Sequence, residues 1–178
     1  RIRRLSSFSQ NTTFGYISFS VTVFIMPLCV PSEFIYYLVG DRIRDKKEGD
    51  RWDASCPELI SELSQALAHQ ALPFLLPVDT LQDYVKMARK STGNPHVPKT
   101  IAFALAREGH IEEAVAVIDE YLPQLDLTSH WQQDIANLST SLSETLVANP
   151  SEAMRQLEVW EKETISSLGL EDFHQSSG

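Results

Sequence analysis

Apolar side chains at every second position of residues 17–25 are the feature that most constrains the fold. They are Ile17, Phe19, Val21, Val23 and Ile25. Serine and threonine fill most of the positions between them. A period of two is typical of a β-strand that buries one face and exposes the other. The pattern therefore predicts a half-buried strand, which Pro27 and Pro31 end because proline cannot donate a ladder hydrogen bond.

Two further segments in the first third of the chain have strand composition. Leu5–Ser9 is predicted to pair with the alternating strand through a turn at residues 10–13, Gln-Asn-Thr-Thr. Residues 34–39 are mostly β-branched or aromatic, so we predict a third strand there, with a short helix as the alternative. The charged residues 41–53 are predicted to form a loop that leads to Trp52.

The remainder of the chain is predicted to be helical, because prolines and glycines divide it into segments with an apolar stripe at helical spacing. The predicted helices cover residues 57–72, 80–90, 98–108, 111–122 and 128–148, and a last helix ends near residue 168. Thr80 with Asp83 resembles a capping box. The periodicity of the long helix places Trp131, Ile135, Leu138 and Leu142 inward.

These segments together predict the α+β class. We expect an antiparallel sheet of three or more strands packed by helices, followed by a C-terminal helical bundle. A chain of 178 residues is usually one domain, so a single domain is predicted over residues 1–178. Residues 1–56 should be mainly strands, residues 57–168 mainly helices and residues 169–178 a disordered tail.

Charge is unevenly divided along the chain. Residues 1–56 contain eight Lys/Arg and six Asp/Glu, whereas residues 57–178 contain seven Lys/Arg and eighteen Asp/Glu. An acidic surface repels the phosphates of nucleic acids and membranes and attracts basic proteins. We therefore expect a protein partner of basic character and neither nucleic-acid nor membrane binding. The alternative interpretation is a solvated helical face without a partner.

Cysteine usage and hydropathy predict a cytoplasmic protein. Cys29 and Cys56 form no CxxC pair, and two reduced thiols are the favoured interpretation, with one disulfide as the alternative. Val21–Val39 is rich in apolar residues, but prolines and Glu33 interrupt it, so we predict no membrane span. The chain begins at Arg1 without methionine, from which we expect that residues preceding it are missing.

Motifs for catalysis or for a cofactor are missing from the sequence. It contains no GxGxxG, GxxxxGK[ST], HExxH or GxSxG pattern. Its five histidines are far apart along the chain, and this spacing predicts no metal site. Cys56 precedes a helix start and is an alternative candidate nucleophile, although no motif accompanies it. We predict a non-catalytic protein without a cofactor or metal.

Two groups of residues are candidate binding sites. The first is a set of carboxylates repeated at a spacing of seven on one predicted helix, Glu112, Glu113, Asp119 and Glu120. They predict an exposed acidic face that could bind a basic protein. The second is a basic and aromatic cluster, Arg42, Arg44, Arg51 and Trp52. Arginine side chains beside a tryptophan face could bind an anion or a peptide carboxylate, and a solvated loop anchored by Trp52 is the alternative.

The order of these segments is typical of a known family. Residues 19–23 are Phe-Ser-Val-Thr-Val, the charged loop ends at Trp52, a helix closes in Leu-Pro-Phe-Leu, and Thr80 opens the next. Over about residues 3–90 this order resembles the bacterial domain family catalogued as domain of unknown function 4304. The resemblance implies an α+β fold, and it implies no particular chemistry because the family has no established activity. Residues 98–122 resemble one tetratricopeptide-like helix pair with its turn at Gly109.

Three functional hypotheses are consistent with the sequence. Similar small α+β domains often serve as immunity or accessory proteins near bacterial toxins, and by this analogy the first hypothesis is a protein that binds a basic toxin through its acidic helical half. The second is a small-ligand-binding protein or enzyme with a site between sheet and helices near Arg42, Arg44 and Trp52. The third is a subunit of a larger assembly.

Overall fold

The fold begins with an antiparallel sheet. The computed structural model describes residues 2–13, 16–46, 49–91 and 94–171. The strands are β1 (Ile2–Thr13), β2 (Tyr16–Pro27), β3 (Val39–Ile43) and β4 (Trp52–Asp53). β2 pairs with β1 along one edge, and β3 and β4 pair with successive parts of its other edge.

Helices follow the sheet and form the larger part of the molecule. They are α1 (Leu59–Ala66), α2 (Leu72–Leu75), α3 (Leu81–Ala88), α4 (His96–Arg107), α5 (Ile111–Tyr121), α6 (His130–Ala148) and α7 (Pro150–Ser167). None of the described helices is long and apolar enough to span a membrane. The predicted α+β class is confirmed: an antiparallel sheet is followed by a bundle of helices.

The alternating strand is present, but it is buried more deeply than its pattern predicts. Val21, Val23 and Ile25 are buried as expected, and Phe24 on the opposite face is also fully buried. The ring of Tyr37 packs edge-on against Phe24 at a centroid distance of 5.0 Å. At the other end of the strand, Ile17 is 47% exposed. From Val21 onward β2 therefore belongs to the core, whereas its first residues do not.

The predicted pairing of Leu5–Ser9 with this strand is confirmed, but the turn and the third strand were placed incorrectly. Residues 10–13 are part of β1 and pair with residues 16–19, so the predicted turn is wrong. Residues 34–38 form neither a strand nor a helix, and the third strand begins at Val39 and continues into the charged segment. Phe34 is 75% exposed, so an aromatic composition did not mean burial in a ladder.

The first helical region is longer than predicted. A π-helical turn, Leu67–Ala71, joins α1 to α2 without a break, and Pro73 lies in the first turn of α2. Proline removes one N–H from the helical ladder, and the change to π-helical spacing immediately before Pro73 is a usual way for a continuous helix to accommodate such an interruption. The predicted end of the helix at residue 72 is therefore wrong, and the helical segment extends to Leu75.

The centre of the helical bundle is close to prediction. The capping box of Thr80 and Asp83 is present at the start of α3. Gly109 has a φ of 85°, which suits glycine, and it separates α4 from α5. Trp131 is 44% exposed and stacks on His96 instead of pointing inward. The tail lies largely outside the described residues, but Leu170 is buried beside Leu28 and Ile165.

The two cysteines are free thiols with different surroundings. Cys29 is fully buried, its Sγ donates to the carbonyl oxygen of Phe103 at 3.7 Å, and burial raises its pKa from 9.0 to about 12. Cys56 is half-buried, and its Sγ lies 3.5 Å from a carboxylate oxygen of Glu58. The favoured interpretation, two thiols and no disulfide, is therefore the one that the structure has.

We expect Cys56 to react with a thiol reagent in the native protein and Cys29 to react only after unfolding. The measurement is a titration with Ellman's reagent with and without denaturant, and a Cys56→Ser variant should have no fast-reacting thiol. Fast labelling of the Cys56→Ser variant would contradict this assignment.

Because the folded pKa of Cys29 lies above its unfolded value, its contribution to stability should be lost as the pH rises from about 9 to about 12.

Candidate functional site

The acidic face of α5 is held outward by the opposite, buried face of the same helix. Ala114, Ile118 and Tyr121 lie in the core. The Tyr121 hydroxyl donates to the Oγ of Ser139, a fully buried residue of α6. These contacts fix the rotation of α5 about its axis. The four predicted carboxylates, Glu112, Glu113, Asp119 and Glu120, are consequently all exposed.

The four carboxylates form two stripes with different environments. Glu113 is ion-paired with Arg89 at 3.6 Å and lies 3.6 Å from the Nδ1 of His110. Within the described ranges, Glu112 and Asp119 have no ion-pair partner. A spacing of seven residues places these two carboxylates on the same side of the helix, about 10 Å apart along its axis. The outer stripe therefore carries two negative charges that α5 and its neighbours leave uncompensated.

Glu113 and Glu120 form the inner stripe. A groove of about 590 Å³ borders this stripe at Glu120. It lies between the end of α3, the start of α4 and the second half of α5. Its apolar wall is formed by Ala88, Val97, Pro98, Ile101, Val117 and Tyr121. This volume is within the range of small-ligand and side-chain pockets, roughly 300–1,000 Å³.

The rim of the groove is polar and carries both signs of charge. Arg89 and Glu120 lie on it, together with Ser91, Asn94 and Gln124. Gln124 donates from Nε2 to the backbone carbonyl of Glu120, and Asn94 accepts from the backbone N–H of His96. Because Arg89 is already paired with Glu113, the Glu120 carboxylate dominates the charge that the rim presents.

Trp52 does not offer an exposed face for a ligand. It is only 2% exposed, and its Nε1–H donates to the carbonyl oxygen of Ile43 at 3.0 Å. Its ring packs in a small core with Val21, Val23 and Ala71. The sequence alternative in which Trp52 anchors the charged segment to the core is therefore the one that the structure has.

The three arginines of the second candidate site are used in different ways. Arg42 is ion-paired with Asp50, and the backbone of Arg44 exchanges two 2.9 Å hydrogen bonds with the side chain of Gln70. Arg44 lines a hollow of about 170 Å³ beside Trp52, and Arg42 and Arg51 do not line it. That volume is below the usual range for ligand pockets. A ligand site at this cluster stays a prediction.

Two basic side chains lie close together near the start of α4. Burial lowers the pKa of Lys99, and burial followed by the charge of Lys99 lowers the pKa of His96. The imidazole ring stacks on Trp131 at 5.0 Å and an interplanar angle of 19°. In both groups the surroundings shift the pKa in the direction that disfavours the charged form relative to water.

Groups suited to metal binding are also scarce. In the part of the chain that the structure describes, no cluster of three or more His, Cys, Asp or Glu side chains could hold a metal ion. Cys29 is shielded from solvent.

The groove contains the residues that sequence reasoning missed. Periodicity assigned Ile101, Val117 and Tyr121 to helices and left Val97 just before one, but it gave no sign that these residues line one groove. The break at residues 91–95 between two helices was the one local signal, since connecting loops often border binding sites. Comparison of the chain with protein-family models, with curated proteins and with solved structures finds no match.

Proposed function

We propose that this protein is a non-catalytic binding module that recognises a basic protein through the acidic face of α5. The observation that carries the proposal is the outer stripe, Glu112 and Asp119. Both carboxylates are exposed and lie on one side of a rigidly packed helix, and neither has an ion-pair partner among the described residues. Such a stripe is fully available to the cations of a partner.

The surrounding charges support the same assignment. Many of the carboxylates elsewhere in the helical half are already compensated, for example Glu161 by Arg107 and Glu152 by Arg155. Compensated charges add little to the attraction of a partner. The outer stripe of α5 therefore contributes strongly to the local field, and it would accelerate the encounter with a basic surface and orient it.

The kind of partner remains the first of the sequence hypotheses. In that hypothesis the protein is a bacterial immunity or accessory protein in the cytoplasm, and its partner is a basic toxin. It would act by occlusion, that is, by covering a surface of the toxin. The carboxylates would steer the encounter, and apolar contacts would hold the complex.

The test is a charge reversal on the outer stripe with a charge-matched control. Glu112→Lys with Asp119→Lys reverses the stripe. Glu144→Lys with Glu163→Lys makes the same change in net charge on α6 and α7, where both side chains are also exposed. Each tagged protein is used to capture partners from the native host at low and high salt, with identification by mass spectrometry.

We expect the wild type and the control pair to retain one basic protein at low salt and to lose it at high salt. The stripe reversal should retain about tenfold less of the same protein, since repulsion replaces attraction at the contact. Salt should weaken capture because the screening length falls from about 10 Å at 0.1 M to about 3 Å at 1 M. Equal capture by both reversed proteins would refute the proposal.

A further inference from the structure

The groove beside α5 has a wall that a purely charged partner would leave unused. Val97 and Ile101 of α4 face Val117 and Tyr121 of α5 across it. Val97, Ile101 and Tyr121 are themselves almost fully buried and make the wall rigid, and the half-buried Pro98 and Val117 supply its accessible apolar surface. A rigid apolar wall open to solvent gains free energy when an apolar side chain covers it.

The charges on the rim determine which residues can flank the apolar side chain of a ligand in the groove. The Glu120 carboxylate lies at the edge of the groove, and the Glu112 and Asp119 carboxylates lie further out on the same helix. The cation on the rim, Arg89, is paired with Glu113. A cationic residue next to the apolar one would therefore meet an uncompensated carboxylate, whereas an anionic residue would meet repulsion.

Side-chain amides on the rim suit a peptide backbone. Asn94 uses its Oδ1 to accept from His96, which leaves its amide N–H groups for an incoming carbonyl. Gln124 uses its Nε2 to donate to Glu120, which leaves its Oε1 for an incoming N–H. A donor and an acceptor on the rim of an apolar groove match the alternating groups of an extended chain.

We infer that this groove binds a short segment of the basic partner in which one apolar side chain is flanked by lysine or arginine. The apolar side chain enters between α4 and α5, and the flanking cations contact Glu120 and the outer stripe. The inference rests on the proposed function and adds the anchor that gives the complex its lifetime. Charge alone mainly raises the association rate, whereas a desolvated anchor slows dissociation.

The test uses three synthetic peptides, each capped at both ends, and isotope-labelled protein. Their sequences are GKKLKKG, GKKSKKG and GEELEEG. Backbone amide shifts are followed by NMR during titration into the millimolar range. We expect the leucine–lysine peptide to shift Val97, Ile101 and Tyr121 and to bind about fivefold more tightly than the serine peptide. The glutamate peptide should cause no shift.

A variant that fills the groove gives an independent check. Ser91→Trp places a ring at the rim, and Ser151→Trp adds the same ring at an exposed position of α7. We expect Ser91→Trp to remove the preference for leucine over serine while both lysine peptides still bind, and Ser151→Trp to change neither. The comparison of peptides on the wild-type protein stands by itself if Ser91→Trp lowers stability.

The outcomes separate the two proposals. Equal binding of the leucine and serine peptides, with shifts at Glu112 and Asp119 and none at Val97 and Ile101, would overturn the groove inference and leave the acidic face as the binding surface. Shifts with the glutamate peptide and none with either lysine peptide would overturn both. Leucine-dependent shifts that persist in Ser91→Trp would overturn the groove as the site of the anchor.

Discussion

Substitution of Gly40 by alanine is expected to lower the free energy of unfolding by about 3 kcal/mol. Gly40 lies in β3 directly opposite Phe24 of β2. A Cβ at this position would lie 2.5 Å from the backbone oxygen of Val23 and 2.7 Å from the Cβ of Phe24. Neither neighbour is the flexible end of a side chain, and the two strands must therefore move apart.

The control for this prediction is Gly109→Ala. Gly109 has a φ of 85° and no atom within 4 Å of an added Cβ, so its substitution introduces backbone strain and no clash. Left-handed strain of this kind costs roughly 1–2 kcal/mol. Chemical denaturation measures both changes, and hydrogen exchange locates them. Gly40→Ala should reduce protection of the β2–β3 amides, and Gly109→Ala should not.

A smaller loss for Gly40→Ala than for Gly109→Ala would contradict the close approach of β3 to β2. The same result would mean that the charged segment lies elsewhere relative to β2, because β3 carries Asp41 and Arg42 and leads to Arg44. The strand pairing thus decides where the second candidate site lies relative to the helices.

Substitution of Arg107 by leucine is expected to be about equally damaging, with a loss of about 3 kcal/mol. Arg107 ends α4, and its Nε donates to a carboxylate oxygen of Glu161 on α7 at 3.2 Å. Glu161 is only 6% exposed. The leucine variant leaves this buried carboxylate without the guanidinium, and removal of one partner of a buried ion pair is strongly destabilising.

Two further variants separate this effect from a general intolerance of the position. Arg107→Leu with Glu161→Leu removes both charges and should recover most of the stability, because apolar pairs often replace buried ion pairs at little cost. Arg155→Leu removes an arginine paired with Glu152 on the exposed side of α7 and should leave the unfolding transition unchanged. A double variant no more stable than Arg107→Leu would show that the pairing is not the cause.

Neither of these stability effects involves the acidic face of α5. Gly40 lies in the sheet, and the Arg107–Glu161 pair joins α4 to α7. Variants of the outer stripe, by contrast, change exposed side chains and should leave stability nearly unaffected. Loss of partner capture by Glu112→Lys with Asp119→Lys can therefore be assigned to the surface itself once the unfolding transition is unchanged.

The acidic stripes of the candidate site were predictable because a helix has one period. Ala114, Ile118 and Tyr121 repeat at helical spacing, which fixes the buried side and leaves Glu112 and Asp119 outside. The groove was not predictable, because three helices contribute to it. Val97 and Val117 come together only when α4 folds back on α5 and the end of α3 closes one end.

The sequence by itself determined the classes of structure: a strand from the period of two at residues 17–25, helices from the apolar stripes after residue 56, and the turn at Gly109. These features are local, and the same spacing that makes a face apolar also gives it its secondary structure. The tertiary structure alone decided that residues 34–38 remain irregular, that β3 begins at Val39 and that Trp131 faces solvent. Their positions depend on contacts between residues distant in the chain, such as the Thr164 hydroxyl that donates to the carbonyl of Val30 at 3.2 Å, and no local period encodes such contacts.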